Sequence, residues 1–291
     1  MSHRLQTIDP ALLTLGYCPW AIDPIIAAMP ANLIKDNLRA IRNWRVWFHL
    51  GMADIRNRFA RSFVGPLWIV LNLGLWVGGI GVIYAALYRQ EIHQYLPFLT
   101  IGFVIWNFLT QTITDGGNAF VFAEGYIKQF TYPKQIYVLR VLVNSVVPLM
   151  IGTVIFFIVT LLLANPMGWG VFWAIPGFVM VLIAAYLHAS IMAYASVRFR
   201  DLPHGMTSLL QVLFFVTPIM FPVSILKERG LDFIYQLNPL YYLIEVAREP
   251  MINLRPASTE VYAITAAYLI FLFIVTIAVA KRFDKRVVYM L

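Results

Sequence analysis

SFVGPLWIVLNLGLWVGGIGVIYAALY, residues 62–88, runs for 27 residues without an Asp, Glu, Lys or Arg. A helix of about 20 residues spans about 30 Å, the hydrocarbon thickness of a bilayer. Five further stretches share the property: Ile92–Thr114, Val141–Ala164, Gly170–Val197, Leu202–Leu226 and Val261–Ala280. Backbone groups at that depth find no water, so each stretch is predicted to be a helix. The expected fold is all-α and integral to the membrane, with six transmembrane helices.

Composition agrees with this reading. Hydrophobic residues make up 60% of the chain, charged residues only 12%, and the mean hydropathy is +0.74. A soluble domain carries about 25% charged residues. The net charge of +8 sits beside the apolar runs, as topology signals do, and leaves no nucleic-acid footprint. With both termini inside, the inner segments hold 17 Lys and Arg against 5 outside, which predicts cytoplasmic termini. Cys18 stands alone, so neither an internal disulfide nor a cysteine metal cluster is available. Residues 1–34 lack the apolar core of a cleavable signal and hold Pro10, Pro19, Pro24 and Pro30.

The chain divides into an irregular lead-in (1–35), an amphipathic helix (36–61), a transmembrane domain (62–283) and a tail (284–291). In the second part Leu38, Ile41, Trp44, Phe48, Met52, Ile55 and Phe59 recur every three or four residues. Arg39, Arg42, Arg45, Arg56 and Arg58 fill the other face, and Arg61 follows. Such a helix lies in the inner interface with its arginines on phosphates. The outer segment 222–258 is too polar to span yet apolar over 233–246, with a break at Asn238-Pro239. Two short re-entrant helices are expected there.

No catalytic constellation emerges. There is no HExxH, no GxSxG, no paired carboxylate within a span, and the Gly-Lys of a phosphate-binding loop never occurs. His188, deep in the fourth span, is expected to bond to a neighbouring helix. What the spans do carry is aromatic. Trp68, Trp76, Tyr84 and Trp106, with Asn72, Asn107 and Gln111, offer a sugar both stacking faces and hydrogen bonds. Interfacial anchoring accounts for most Trp and Tyr at span ends, but Trp76 and Trp106 lie nearer mid-depth.

Several ordered motifs carry a resemblance. Asp54–Trp68, DIRNRFARSFVGPLW, resembles the R-x-R-Y-x-R-S-x-L-G-P-L-W start of ABC-2 type exporter permeases. Gly102–Phe108 resembles their G-x-x-x-W-x-F second span, and Ile127–Lys134 their I-K-K-x-x-F-P inner loop. Phe215–Ile219 and Leu237–Leu240 match F-x-T-P-I and L-N-P-L. The set covers about residues 50–283 and is most similar to the permeases exporting polysaccharides: O-antigen, capsule and teichoic acid. Phe59 and Val64 depart mildly from the pattern, and residues 1–35 find no counterpart in it.

The resemblance implies a homodimer bound to two copies of a separate ABC ATPase, which holds ATP and Mg while this chain holds no cofactor. It implies an aromatic-lined channel, giving Trp68, Asn72, Trp76, Tyr84, Trp106 and Asn107 a role. It gives the inner loop, Glu124, Tyr126, Ile127, Lys128, Tyr132 and Pro133, a role in coupling to the ATPase. Arg42, Arg45, Arg56, Arg58 and Arg61 would flank the ATPase or hold a glycolipid diphosphate. The expected function is therefore export of a lipid-linked polysaccharide, without catalysis, across a bacterial inner membrane. The rivals are a permease for small hydrophobic molecules and an integral-membrane transferase acting on lipid-linked sugars. The inner face offers a transferase only Asp115, Glu124 and Asp201, without metal-ligand spacing.

Overall fold

The computed structural model describes residues 33–130 and 132–291. The expected lead-in lies outside them apart from its last three positions, as does Thr131 of the inner-loop motif. Among the described residues the chain is helical, with no strand.

The predicted amphipathic helix is two helices, α1 (Leu33–Arg42) and α2 (Trp44–Phe59). Asn43 breaks it with φ −88° and ψ 38°, and its amide donates to the Arg39 carbonyl at 3.0 Å. An Asn side chain that bonds nearby backbone in this way competes with helix continuation. The spans follow: α3 (Leu67–Leu87, with a π turn at Trp76–Ile80), α4 (Ile92–Asn118) and, after the short α5 (Glu124–Gln129), α6 (Gln135–Leu162). A 3₁₀ turn, Trp169–Trp173, leads into α7 (Ala174–Arg198). Then come α8 (Leu202–Val216), α9 (Val223–Glu228), α10 (Phe233–Gln236), α11 (Pro239–Asn253), α12 (Thr259–Phe283) and α13 (Val287–Met290).

Among the described residues five helices are long and apolar enough to cross a membrane: α3, α4, α6, α7 with its 3₁₀ turn, and α12. The expected span Leu202–Leu226 is not one helix. Its helical part, α8, is 15 residues, about 22 Å at 1.5 Å per residue. The break has a local cause. Pro218 disfavours the helical region for the residue before it, and Thr217 is extended at ψ 133°. The Thr217 hydroxyl donates to the Leu213 carbonyl at 2.7 Å and accepts from Asn238 Nδ2 at 2.7 Å. Beyond the break the outer segment holds three helices, not two, and the last is also the longest. Asn238 caps α11 by accepting from the Leu240 N–H at 3.0 Å, with Pro239 at the first helical position.

The core is built around α4. From Leu99 to Leu109 every residue of α4 is buried except Asn107. Small residues let its neighbours approach closely: a Cβ on Gly116 would lie 2.6 Å from Ala189 Cα of α7. Gly152 of α6 likewise faces Val104, and Gly177 of α7 leaves no room for a Cβ against the Val246 carbonyl of α11. Without water to drive association, such backbone proximity maximises dispersion contact. Connectivity places α1, α2, α5 and α13 at one end of the bundle, here the terminal end. The 3₁₀ turn and α9–α11 sit at the opposite end.

Candidate functional site

Four aromatic rings join α3, α4 and α8 into one seam. Trp76 lies 5.5 Å from Phe103, Phe103 lies 5.4 Å from Phe214, and Phe214 lies 5.8 Å from Trp106. Such centroid distances are those of favourable aromatic pairs. Trp76 is 43% exposed whereas Trp106 is 5% exposed, so only the first presents a free face in the single chain. Asn107 is the exposed residue within the otherwise buried stretch Leu99–Leu109 of α4. Trp76 and Phe214 thus flank Phe103, and Asn107 follows Phe103 by one turn on the same side of α4.

The other expected channel residues divide. Trp68 and Asn72 are exposed and lie eight and four residues before Trp76, on the same stripe of α3. Tyr84 is set apart, half-buried against Tyr88 at 5.5 Å toward the opposite end. Gly78 and Gly79 sit in the π turn beside Trp76, with nothing within 4 Å of a built Cβ. Gly81, by contrast, packs on Leu96 of α4. π turns recur at functional sites, where they re-aim side chains along a helix.

At the terminal end, α5 projects from the bundle. Glu124 and Lys128 pair at 2.5 Å on its exposed surface, and that hydrogen bond holds the Glu124 carboxyl below its usual range. Tyr126 and Phe130 stack at 6.3 Å, with Tyr132 a further 6.1 Å on, and all three are exposed, as is Phe122. Ile127 and Pro133 are half-buried, Ile127 against the cluster of Phe120, Tyr137 and Tyr194. Exposed aromatics on a projecting helix mark a contact surface.

Arg42, Arg45, Arg56, Arg58 and Arg61 are all exposed, and Arg45 lies 5.8 Å over the Trp44 ring. The helix α2, which carries Arg45, Arg56 and Arg58, is fixed to the bundle by a pair that hydropathy did not single out. Arg140 of α6 donates to both oxygens of Asp54 at 2.5 and 2.6 Å, and Asn144 adds a third bond at 3.1 Å. Burial alone would raise the Asp54 carboxyl, but the Arg140 and Asn144 hydrogen bonds outweigh it and hold it low. Gly51 completes the joint, since a Cβ there would stand 2.7 Å from Val143 Cβ.

The sequence reading also missed the buried charge at the opposite end. Arg248 is 1% exposed, with Nε 2.9 Å and Nη2 2.5 Å from Glu245 Oε2. Its Nη1 donates to the Pro218 carbonyl at 2.9 Å. The available signal was a Glu and an Arg at i, i+3 within an apolar run, which puts both on one helix face. His188 has both ring nitrogens engaged, Nδ1 2.8 Å from the Ala184 carbonyl and Nε2 2.8 Å from Tyr268 Oη of α12. It lines an apolar cavity of about 450 Å³ between α7, α8 and α12. Among the described residues no group of three His, Cys, Asp or Glu could hold a metal ion.

Comparison with known proteins fits these observations. The profile of the family described as ABC-2 type transporter matches residues 45–252. An O-antigen export system permease protein, RfbA of Myxococcus xanthus, is 24% identical over 193 residues, covering 66% of this chain and 74% of its own length. Two proteins of the same name from Klebsiella pneumoniae are 23% and 24% identical, each over 69% of this chain and 77% of theirs. The matched region takes in α2, the aromatic seam, α5 and most of α11, and the chain belongs to the ABC-2 type transporter family.

Proposed function

We propose that this chain is the membrane subunit of an ATP-driven exporter that moves a lipid-linked polysaccharide outward across a bacterial inner membrane. The observation that carries the reading is the aromatic seam from Trp76 through Phe103 to Phe214, with the exposed Asn107 one turn from Phe103. Aromatic faces beside an amide suit a sugar's alternating C–H and hydroxyl surfaces, and the helices that carry them lie at membrane depth. The O-antigen export relatives point to the same class of cargo. A drug exporter would favour an apolar wall without Asn72 and Asn107.

ABC-2 permeases work with an ABC ATPase partner, and α5 supplies a fitting contact surface at the terminal end. In this reading two copies of the chain pair along the open face of α3 and two ATPases bind below, holding ATP and Mg. The excess of Lys and Arg in the segments at the terminal end supports cytoplasmic termini. The α8 helix, together with the segment that follows it, serves as the sixth crossing, with α9–α11 re-entrant from the outer side. The exposed arginines of α1 and α2 face phosphates, either of lipids or of the cargo's diphosphate.

The test is purification from native membranes in mild detergent, followed by identification of bound proteins and glycolipid. A stoichiometric ATPase with a lipid-linked glycan supports the reading. A chain that exports normally with no ATPase bound at any salt concentration sinks it.

A further inference from the structure

We infer that Lys134 and Asp284 form a latch that ties the proposed ATPase-contact segment, residues 124–137, to the far end of the last span. The inference rests on the reading of α5 as the contact surface and extends it to how a push there would travel. Lys134 Nζ lies 2.8 Å from Asp284 Oδ1 and 2.6 Å from the Asp284 carbonyl oxygen. The two residues are 150 positions apart in the chain, and both side chains are largely buried.

The pair is the head of a polar chain that reaches two more elements. The Tyr194 hydroxyl of α7 donates to Asp284 Oδ1 at 3.2 Å, and Gln135 Nε2 donates to the Tyr194 oxygen at 3.3 Å. Gln135 Oε1 in turn lies 2.8 Å from the Tyr186 hydroxyl and accepts from Ser190 at 3.3 Å. The Tyr186 hydroxyl is also 2.7 Å from Asn37 Oδ1, on α1. Asp36 stands beside this cluster, its carboxyl raised by burial and by the charge of Asp284.

Three elements therefore converge on two consecutive residues, Lys134 and Gln135, where α6 begins. The described residues of the segment before them are anchored at its start. Its aromatics Tyr126, Phe130 and Tyr132 face outward, while Ala123 and Ile127 anchor the start on the Phe120 and Tyr194 cluster. A displacement of α5 thus passes through Lys134 to the end of α12, and through Gln135 to α7 and α1. Removing either charge leaves the other buried without its partner, which opens the joint. Networks of this kind carry coupling when the joined elements shift as bodies.

The test uses the full chain with Asp284→Asn, with Lys134→Met, and with the swap Lys134→Asp plus Asp284→Lys. Amide hydrogen exchange is read in detergent over residues 120–134 and 280–291. We expect several-fold faster exchange in both segments for each single change, and recovery in the swap. After reconstitution with the co-purified ATPase, the single variants should hydrolyse ATP but export less glycan per ATP, again recovered by the swap. Unchanged exchange, or a swap that recovers nothing, overturns the latch. Altered exchange with unaltered export per ATP overturns its role in transmission. If no ATPase co-purifies, the exchange result still decides the latch, and it is the exporter reading that falls.

Discussion

Arg248 lies with its guanidinium 4.1 Å above the ring of Phe98, sealing a buried charge against the start of α4. The same guanidinium binds Glu245 within α11 and the Pro218 carbonyl beyond the broken end of α8. Tyr95, three residues before Phe98, donates to the Met220 carbonyl in the same break. Gly102 makes room, since a Cβ there would already stand 3.3 Å from Arg248 Nη1. One cation therefore satisfies the Pro218 carbonyl at the break and pins α11 to α4 and to the end of α8.

Breaking that arrangement has a large expected effect. Arg248→Ala strands Glu245 and the Pro218 carbonyl, and should destabilise the chain by about 3–5 kcal/mol. Arg248→Lys should recover little, because an ammonium cannot hold Glu245 Oε2 twice and also reach the Pro218 carbonyl as the planar guanidinium does. Thermal unfolding of the purified protein in detergent checks both, and a Lys variant as stable as the native chain would refute the geometric account.

The two tryptophans proposed for the channel should separate on mutation. Trp106 is buried, so Trp106→Ala removes core packing at a cost of about 3–5 kcal/mol and lowers folded yield. Trp76→Ala with Asn107→Ala should leave the yield near normal and abolish glycan export. Export at the native rate from that double variant would remove the seam from the transport path.

Glycines on α3 and α7 make a second contrast. Gly177→Ala drives a methyl into the Val246 carbonyl and should destabilise by about 1–3 kcal/mol. Gly78→Ala meets nothing within the chain and should leave its fold intact. In the proposed homodimer, a bulkier Gly78→Leu should instead weaken pairing, read as the monomer fraction in size-exclusion chromatography with light scattering.

Two acids at the terminal end should respond to pH with opposite signs. The Asp54 carboxyl is held below its ordinary value by Arg140 and Asn144, so its contribution is present at neutral pH. That contribution is lost as pH falls through the lowered folded value, freeing α2 from α6. Asp36 is raised, chiefly by burial and then by Asp284, so its contribution is present in acid and fades as pH rises through the raised value. Asp54→Asn should therefore loosen α2 at neutral pH, whereas Asp36→Asn should tighten α1, both followed by tryptophan emission from Trp44 and Trp47. The reverse pattern would show that other groups control the joint.

The sequence by itself determined that this chain is helical and crosses a membrane, because uncharged runs of 20 residues or more have no other way to satisfy their backbone in hydrocarbon. It also determined the aromatic and basic inventory: Trp76 and Trp106 at depth, Arg42 to Arg61 on one amphipathic segment. The break at Asn238-Pro239 was legible in the letters, whereas the expected amphipathic helix ran straight through Asn43 and the expected fifth span straight through Pro218. Tertiary structure decided the rest. Whether Trp106 is a wall or a core residue depends on Phe214, more than 100 positions away, and no periodicity in either helix encodes that meeting. The pairs Asp54–Arg140, Lys134–Asp284 and Arg248–Phe98 are likewise set by which helices lie side by side. A charge near a span end looks the same in the sequence whether it faces a phosphate or a buried partner, because only packing fixes its dielectric surroundings and its neighbours.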